Sequence, residues 1–149
     1  MVIENPMETS TLAFPVIECI HIVGFTLSVG TVALVDFRLM GIGITDHSPA
    51  ELWNDTWRWT LCGLFVMIFS GLLLFSSDPD SYYLNYAFLL KMVFLLLAIL
   101  YNYTAVRKTA SASSPPKSSR IVGAISLALW ACVAFGGIFI GVFPATPQV

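Results

Sequence analysis

Four long apolar stretches, at 14–40, 57–76, 86–106 and 121–143, leave this chain few ways to fold. Each reaches the about 20 residues that an α-helix needs to cross the hydrocarbon core of a bilayer. Lipid offers a backbone no hydrogen bonds, so stretches of this length must satisfy their own by becoming helices. The composition agrees. Hydrophobic residues make up 57% of the 149 and charged residues 11%, whereas a water-soluble domain carries about 25% charged residues. The expectation is a single all-α domain over residues 1–149, a four-transmembrane-helix bundle whose first partner is the lipid bilayer. With a net charge of −2 and no basic cluster, nothing is available to hold a phosphate backbone, which excludes nucleic acid.

The breaks between the stretches are distinct. Gly41-Ile42-Gly43 and the polar run from Thr45 to Pro49 close the first, and Ser76-Ser77-Asp78-Pro79-Asp80 closes the second. Residues 107–120, with Pro115-Pro116, separate the third from the fourth, and Pro144 and Pro147 follow the last. Ser48-Pro49-Ala50-Glu51 has the form of a capping box, so the second helix can begin at Pro49. Trp53, Trp57 and Trp59 would then mark one membrane interface, and Tyr82, Tyr83 and Tyr86 the other. Glu4 and Glu8 precede the first stretch without any Lys or Arg, the wrong front end for a cleavable leader. Cys19, Cys62 and Cys132 lie singly in apolar stretches with no CxxC, as free packing thiols do. Small residues at helical spacing, Gly63, Ser70 and Gly71 in the second stretch and Ser126, Ala134, Gly137 and Gly141 in the fourth, predict close helix packing.

Orientation follows from the basic residues. Lys91 lies within a span. Arg38, Arg58, Arg107, Lys108, Lys117 and Arg120 all fall at the first and third connections or the helix ends beside them. The positive-inside rule places those connections in the cytoplasm and both termini on the extracytoplasmic side.

The residues that carry chemistry are those a bilayer resists. Glu18 and His21 lie in the first span and Lys91 in the third. A charge at a helix centre costs about 2.5–3.5 kcal/mol on insertion scales, so such groups face the bundle interior and pair. His21 is about seven residues into its span and Lys91 about five, which puts their levels within ~3 Å. Glu18, His21, Phe25, Ser28 and Asp36 share one face of the first helix, within an arc of ~80°. Lys91, Leu95, Ala98 and Asn102 share one face of the third. Two readings follow. In one, Glu18 and Lys91 form an ion pair that fixes register, as in an assembly subunit. In the other, His21 is a ligand through its neutral imidazole, with Glu18 accepting from the second ring nitrogen. Haem b suits a helical bundle that offers an axial His and a basic group for a propionate; copper bound through His21, Cys19 or a methionine is the second candidate. His47, the only other histidine, sits in a connection. Asp36 and Arg38 fall near the cytoplasmic boundary, where an interfacial pair or snorkelling is expected.

Glu18-Cys19-Ile20-His21-Ile22-Val23-Gly24 and Asp36-Phe37-Arg38-Leu39-Met40-Gly41 give the patterns E-x-x-H-x-x-G and D-x-R-L-x-G. With Phe88-Leu89-Leu90-Lys91-Met92-Val93-Phe94 and Tyr101-Asn102, they resemble a bacterial family of uncharacterised four-helix membrane proteins over most of the chain. The resemblance implies the bacterial inner membrane. More distantly the layout resembles HemJ-type protoporphyrinogen oxidases and the membrane domain of copper-resistance protein D. The HemJ type carries a required His in its first helix, an Arg at that helix's cytoplasmic end and a Lys in its third. His21, Arg38 and Lys91 occupy the matching places. This resemblance implies haem b, held by His21 as metal ligand with Glu18, Lys91 and Arg38 in the cofactor-binding set, and an oxidoreductase role. Other membrane subunits or a second copy of the chain remain open as partners.

A reporter active only outside the cytoplasm is expected to work when fused after Asp78 and to be silent when fused after Ala112. The reverse pattern refutes the orientation.

Overall fold

The computed structural model describes residues 12–44, 46–112 and 116–142. Features noted above at Glu4, Glu8, Thr45, Pro115, Phe143, Pro144 and Pro147 lie outside them. The helices are α1 (Ala13–Met40), α2 (Pro49–Ser77), α3 (Pro79–Tyr83), α4 (Tyr86–Tyr101), α5 (Arg107–Ala110) and α6 (Ser119–Val142). A π-helical turn, Asn102–Val106, joins α4 to α5, so that Tyr86–Ala110 forms one rod. That rod, α1, α2 and α6 are each long and apolar enough to span a membrane. Phe65, Leu72, Leu96 and Ile138 are among the many large apolar side chains they leave exposed. Water would not tolerate that surface and hydrocarbon does: this is a multi-pass membrane protein.

Local sequence explains the helix ends. Gly41 ends α1 in the left-handed conformation at φ 77°, which glycine adopts without steric cost. Its N–H bonds the Arg38 carbonyl at 3.0 Å and the Ile42 N–H bonds the Phe37 carbonyl at 2.9 Å, the paired bonds of a Schellman motif. The capping box at α2 is formed. Ser48 Oγ accepts from the Glu51 N–H at 3.2 Å, and Glu51 Oε2 accepts from the Ser48 N–H at 2.7 Å. The second span therefore starts at Pro49, a full eight residues ahead of its apolar run at 57. α3 is a helical turn within what the sequence reads as a break. Asp78 caps it by accepting from the Ser81 N–H at 3.3 Å, with Pro79 at the first position. Asn85 then caps α4 through the Ala87 N–H, at 2.9 Å, and its amide donates to the Ile140 carbonyl of α6 at 3.2 Å.

The third rod also continues beyond its expected end at 106. Arg107 and Lys108 are exposed and can reach the interface, while Val106 and Ala110 are buried against Val35, Leu39 and Leu52. Packing on one face extends the helix past the point where its composition turns polar.

Lipid supplies no hydrophobic drive between helices, so association depends on how closely backbones approach. α1 lies against α2 at two glycines. A Cβ on Gly24 would sit 2.8 Å from the Met67 backbone N, and one on Gly63 only 2.6 Å from the Ser28 backbone N. α6 meets α1 at Gly123, where a Cβ would stand 2.6 Å from the Asp36 carbonyl oxygen. Gly141, expected to pack, has nothing near it. α2 and the third rod are bridged by aromatic side chains at both ends: Phe75 stacks on Phe88 at 5.7 Å, and Trp53 meets Tyr103 edge-on at 5.9 Å. Two buried apolar clusters result. One is built on Val32, Leu64, Met67, Ala98, Trp130 and Val133, and the other, at the end bearing the basic residues, on Val35, Leu39, Leu52, Val106 and Ala110.

Gly63→Ala should lower stability by about 1–3 kcal/mol, because backbone and not a flexible side chain must move. Gly30→Ala, with nothing within 4 Å of its added methyl, should be neutral or stabilising by up to about 1 kcal/mol. Unfolding midpoints in mixed detergent check the contrast; equal effects would refute the α1–α2 contact.

Candidate functional site

His21 lies half-buried on α1 and its ring is clamped from α2. Nδ1 is 3.1 Å from Ser70 Oγ. The Ser70 hydroxyl has a single hydrogen, and its oxygen is 2.6 Å from the Val66 carbonyl and 3.1 Å from that of Met67. The shorter contact, to the Val66 carbonyl, is the one that directs this hydrogen back along α2. With the hydrogen so directed, the Ser70 oxygen accepts from His21 and the proton is assigned to Nδ1. In the neutral ring Nε2 then carries the lone pair, and the Met67 backbone also accepts a hydrogen bond from the ring. Gly71 makes the close seating possible: a Cβ there would be 3.1 Å from His21 Cε1.

Lys91 comes to the same level from the third rod. It lies along a glycine step of α6, its Cβ 3.0 Å from where a Gly136 Cβ would be and its Nζ 3.5 Å from that of Gly137. Its charge acts on the His21 ring. Glycines on α2 and α6 give both side chains a seat directly on helix backbone.

The structure does not bring Glu18 into this group. Glu18 is exposed, and the partner of Nδ1 is Ser70. The Glu18 carboxylate acts instead on Tyr82 of α3. Burial raises the Tyr82 hydroxyl above its ordinary pKa, and the charges of Glu18 and Asp78 add to the rise. Arg38 lies at the other end of α1, 17 residues from His21 or about 25 Å along the axis, and its Nε donates to the His47 carbonyl. The expected interfacial Asp36–Arg38 pair is not present. Asp36 is 0% exposed, because Gly123 lets α6 close over that face of α1 while Arg38, two residues on, points away toward the connection.

Sequence reasoning passed over Ser70 as a functional partner, treating Ser70 and Gly71 as packing residues only. The signal was depth: Ser70 is seven residues from the end of α2, and His21 eight from the start of α1, at the same side of the bundle. For copper, the described residues contain no group of three His, Cys, Asp or Glu side chains that could hold an ion. Cys19 and Cys62 are exposed free thiols.

The chain belongs to a family of unknown function, DUF6644, whose model matches residues 11–143. No curated protein and no solved structure matches it.

Imidazole ¹⁵N spectra of the purified protein above pH 7 should show His21 with a protonated Nδ1 and an unprotonated Nε2. Ser70→Ala should mix the tautomers and cost about 0.5–1.5 kcal/mol, the net value of one hydrogen bond. A protonated Nε2 in the wild type would overturn the assignment.

Proposed function

We propose that this protein is a redox protein of the bacterial inner membrane, in the orientation given by its basic residues, and that it holds haem b through His21. The single observation that carries the reading is the 3.1 Å contact of Nδ1 with Ser70, which holds the ring from α2 and assigns the lone pair of the neutral imidazole to Nε2. A metal-bound histidine needs its second nitrogen held in this way to set tautomer and ring direction. The donor types, an imidazole and an amine, suit the group. Gly71 lets the edge of the ring seat directly on α2, and Gly136 and Gly137 let Lys91 lie directly on α6.

In this reading His21 would hold the iron through Nε2, with Ser70 and Gly71 keeping the ring in its orientation. Lys91 is the basic residue at the same depth, either pairing with a propionate or presenting its neutral amine as a second ligand. Glu18 contributes charge at the outer surface beside Tyr82, away from the ring. Arg38 anchors the first connection and takes no part in holding the group. Haem b supplies a one-electron couple whose potential depends on its axial ligands and on burial.

A second reading, an assembly subunit without chemistry of its own, has one observation in its favour. An apolar groove of about 610 Å³ runs between α4 and α6, lined by Leu90, Phe94, Phe135 and Phe139 among others, and could take a partner's helix.

Protein purified from haem-replete cells should show a Soret band. His21→Ala should weaken haem binding at least tenfold, about 1.4 kcal/mol, with the bundle still folded. Lys91→Met should shift the band to a five-coordinate form if Lys91 is a ligand, or weaken binding with little spectral change if it pairs with a propionate. A colourless wild type that takes up no added haemin would end the haem reading in favour of the assembly subunit.

A further inference from the structure

A second polar group lies deeper in the bundle, at the boundary between the two apolar clusters. Three helices each contribute one residue to it. On α1, Asp36 follows Val32 of one cluster and precedes Leu39 of the other. Asn102, which opens the π turn, lies one turn from both Ala98 and Val106. On α6, Ser126 separates Trp130 from Val122, which packs on the second cluster. The three are therefore at one level. Asp36 is 0% exposed, and Asn102 and Ser126 are each 1% exposed.

None of their side-chain polar atoms has a hydrogen-bond partner: not Asp36 Oδ1 or Oδ2, not Asn102 Oδ1 or Nδ2, not Ser126 Oγ. Buried polar atoms are nearly always satisfied, and a cluster of orphans calls for an unseen water or ion. Asp36 and Ser126 are neighbours, and Asn102 shares their level from the third rod. Ser126 acts on the Asp36 carboxyl without reaching hydrogen-bond geometry, and Gly123, one turn along α6, sits against the Asp36 backbone. Arg38 is held by the His47 carbonyl, so it does not neutralise Asp36. Tyr101, beside Asn102, is the titratable side chain of the third rod that senses the Asp36 charge.

The chemistry of the group is narrow. Its ligating atoms are a carboxylate, an amide oxygen and a hydroxyl, all hard oxygen donors that favour alkali and alkaline-earth cations over soft metals. There is one carboxylate. A monovalent cation brings the group to neutrality, whereas a divalent one would leave a net charge buried in the bundle, at high cost. The Asn102 amide can offer its oxygen to the ion and its NH₂ to the second Asp36 oxygen. The π turn reinforces the reading, since such insertions in α-helices occur frequently at functional sites.

We infer that Asp36, Asn102 and Ser126 form a binding site for a small alkali cation of sodium size. The site is separate from the His21 and Lys91 pair, 15 residues or about 22 Å away along α1, and does not rest on haem.

The test uses the purified full chain with Na⁺ as the probe. Equilibrium dialysis with ²²Na⁺ should show one saturable site per chain. The thermal midpoint should rise with NaCl relative to choline chloride at equal ionic strength, as it must for a ligand that binds only the folded state. Asp36→Asn should abolish both effects. Because Asp36→Asn could misfold, Ser126→Ala serves as the second variant: it removes one oxygen ligand without touching the charge, and should weaken Na⁺ binding at least tenfold. Absence of saturable ²²Na⁺ binding to the wild type overturns the site, as does unchanged affinity in Ser126→Ala. A midpoint that responds to pH but not to Na⁺ assigns the group to a proton and its waters, and overturns it equally.

Discussion

The rotation of α1 about its own axis is the constraint on which the rest of the structure depends. Two close backbone approaches set it. Gly24 and Gly63 bring α1 against α2, and Gly123 brings α6 against α1 at Asp36. With those contacts made, the direction of every other α1 side chain is decided. His21, three residues before Gly24, meets Ser70 and Gly71 because they lie two turns along α2 from Gly63. Asp36, eight residues beyond Ser28, is carried under α6 rather than out to the interface. Turning α1 by one residue, about 100°, would undo both placements together. A single packing register thus serves the upper histidine and the lower carboxylate.

Inside a bilayer a polar side chain needs a partner from the protein, and this bundle supplies one in most places. Thr31 Oγ1 meets Thr60 Oγ1 at 2.8 Å across α1 and α2. Thr56, Thr60, Ser70 and Thr104 return their hydroxyl hydrogens to carbonyls one turn back on their own helices. His21 uses Ser70. Ser28 Oγ, Tyr103 OH and Trp130 Nε1 are single orphans, whereas the orphaned atoms at Asp36, Asn102 and Ser126 fall at one level, where a helix that needed only packing could have carried Val or Ala. Each unsatisfied neutral atom costs about 1–3 kcal/mol and a charged one more, so the group is retained against a considerable penalty. α6 borders both polar regions. Gly136 and Gly137 lie under Lys91, and Gly123 and Ser126 lie beside Asp36, on one continuous helix.

Much of this was legible in the residues, and the exceptions have physical causes. Helix number and the capping box at Ser48 follow from length and cap chemistry. Those are local properties. The turn at Pro79–Tyr83 was legible too, in Asp78 followed by Pro79, but it was masked by the polarity of the segment. What escaped the sequence depends on which helix lies opposite. A carboxylate one turn from a helix end reads as interfacial, and nothing near Asp36 in the chain says otherwise. The information is at Gly123, 87 positions away, where a missing side chain lets α6 cover it. Glu18 shows the converse. Its spacing from His21 puts it on the same face, where a carboxylate can accept from the second ring nitrogen. But α3 and Tyr82 stand above it, and Ser70, which the sequence offers only as a small residue, reaches the ring first. In a four-helix bundle the face of a residue is read from its own helix, but its partner is set by small residues on another.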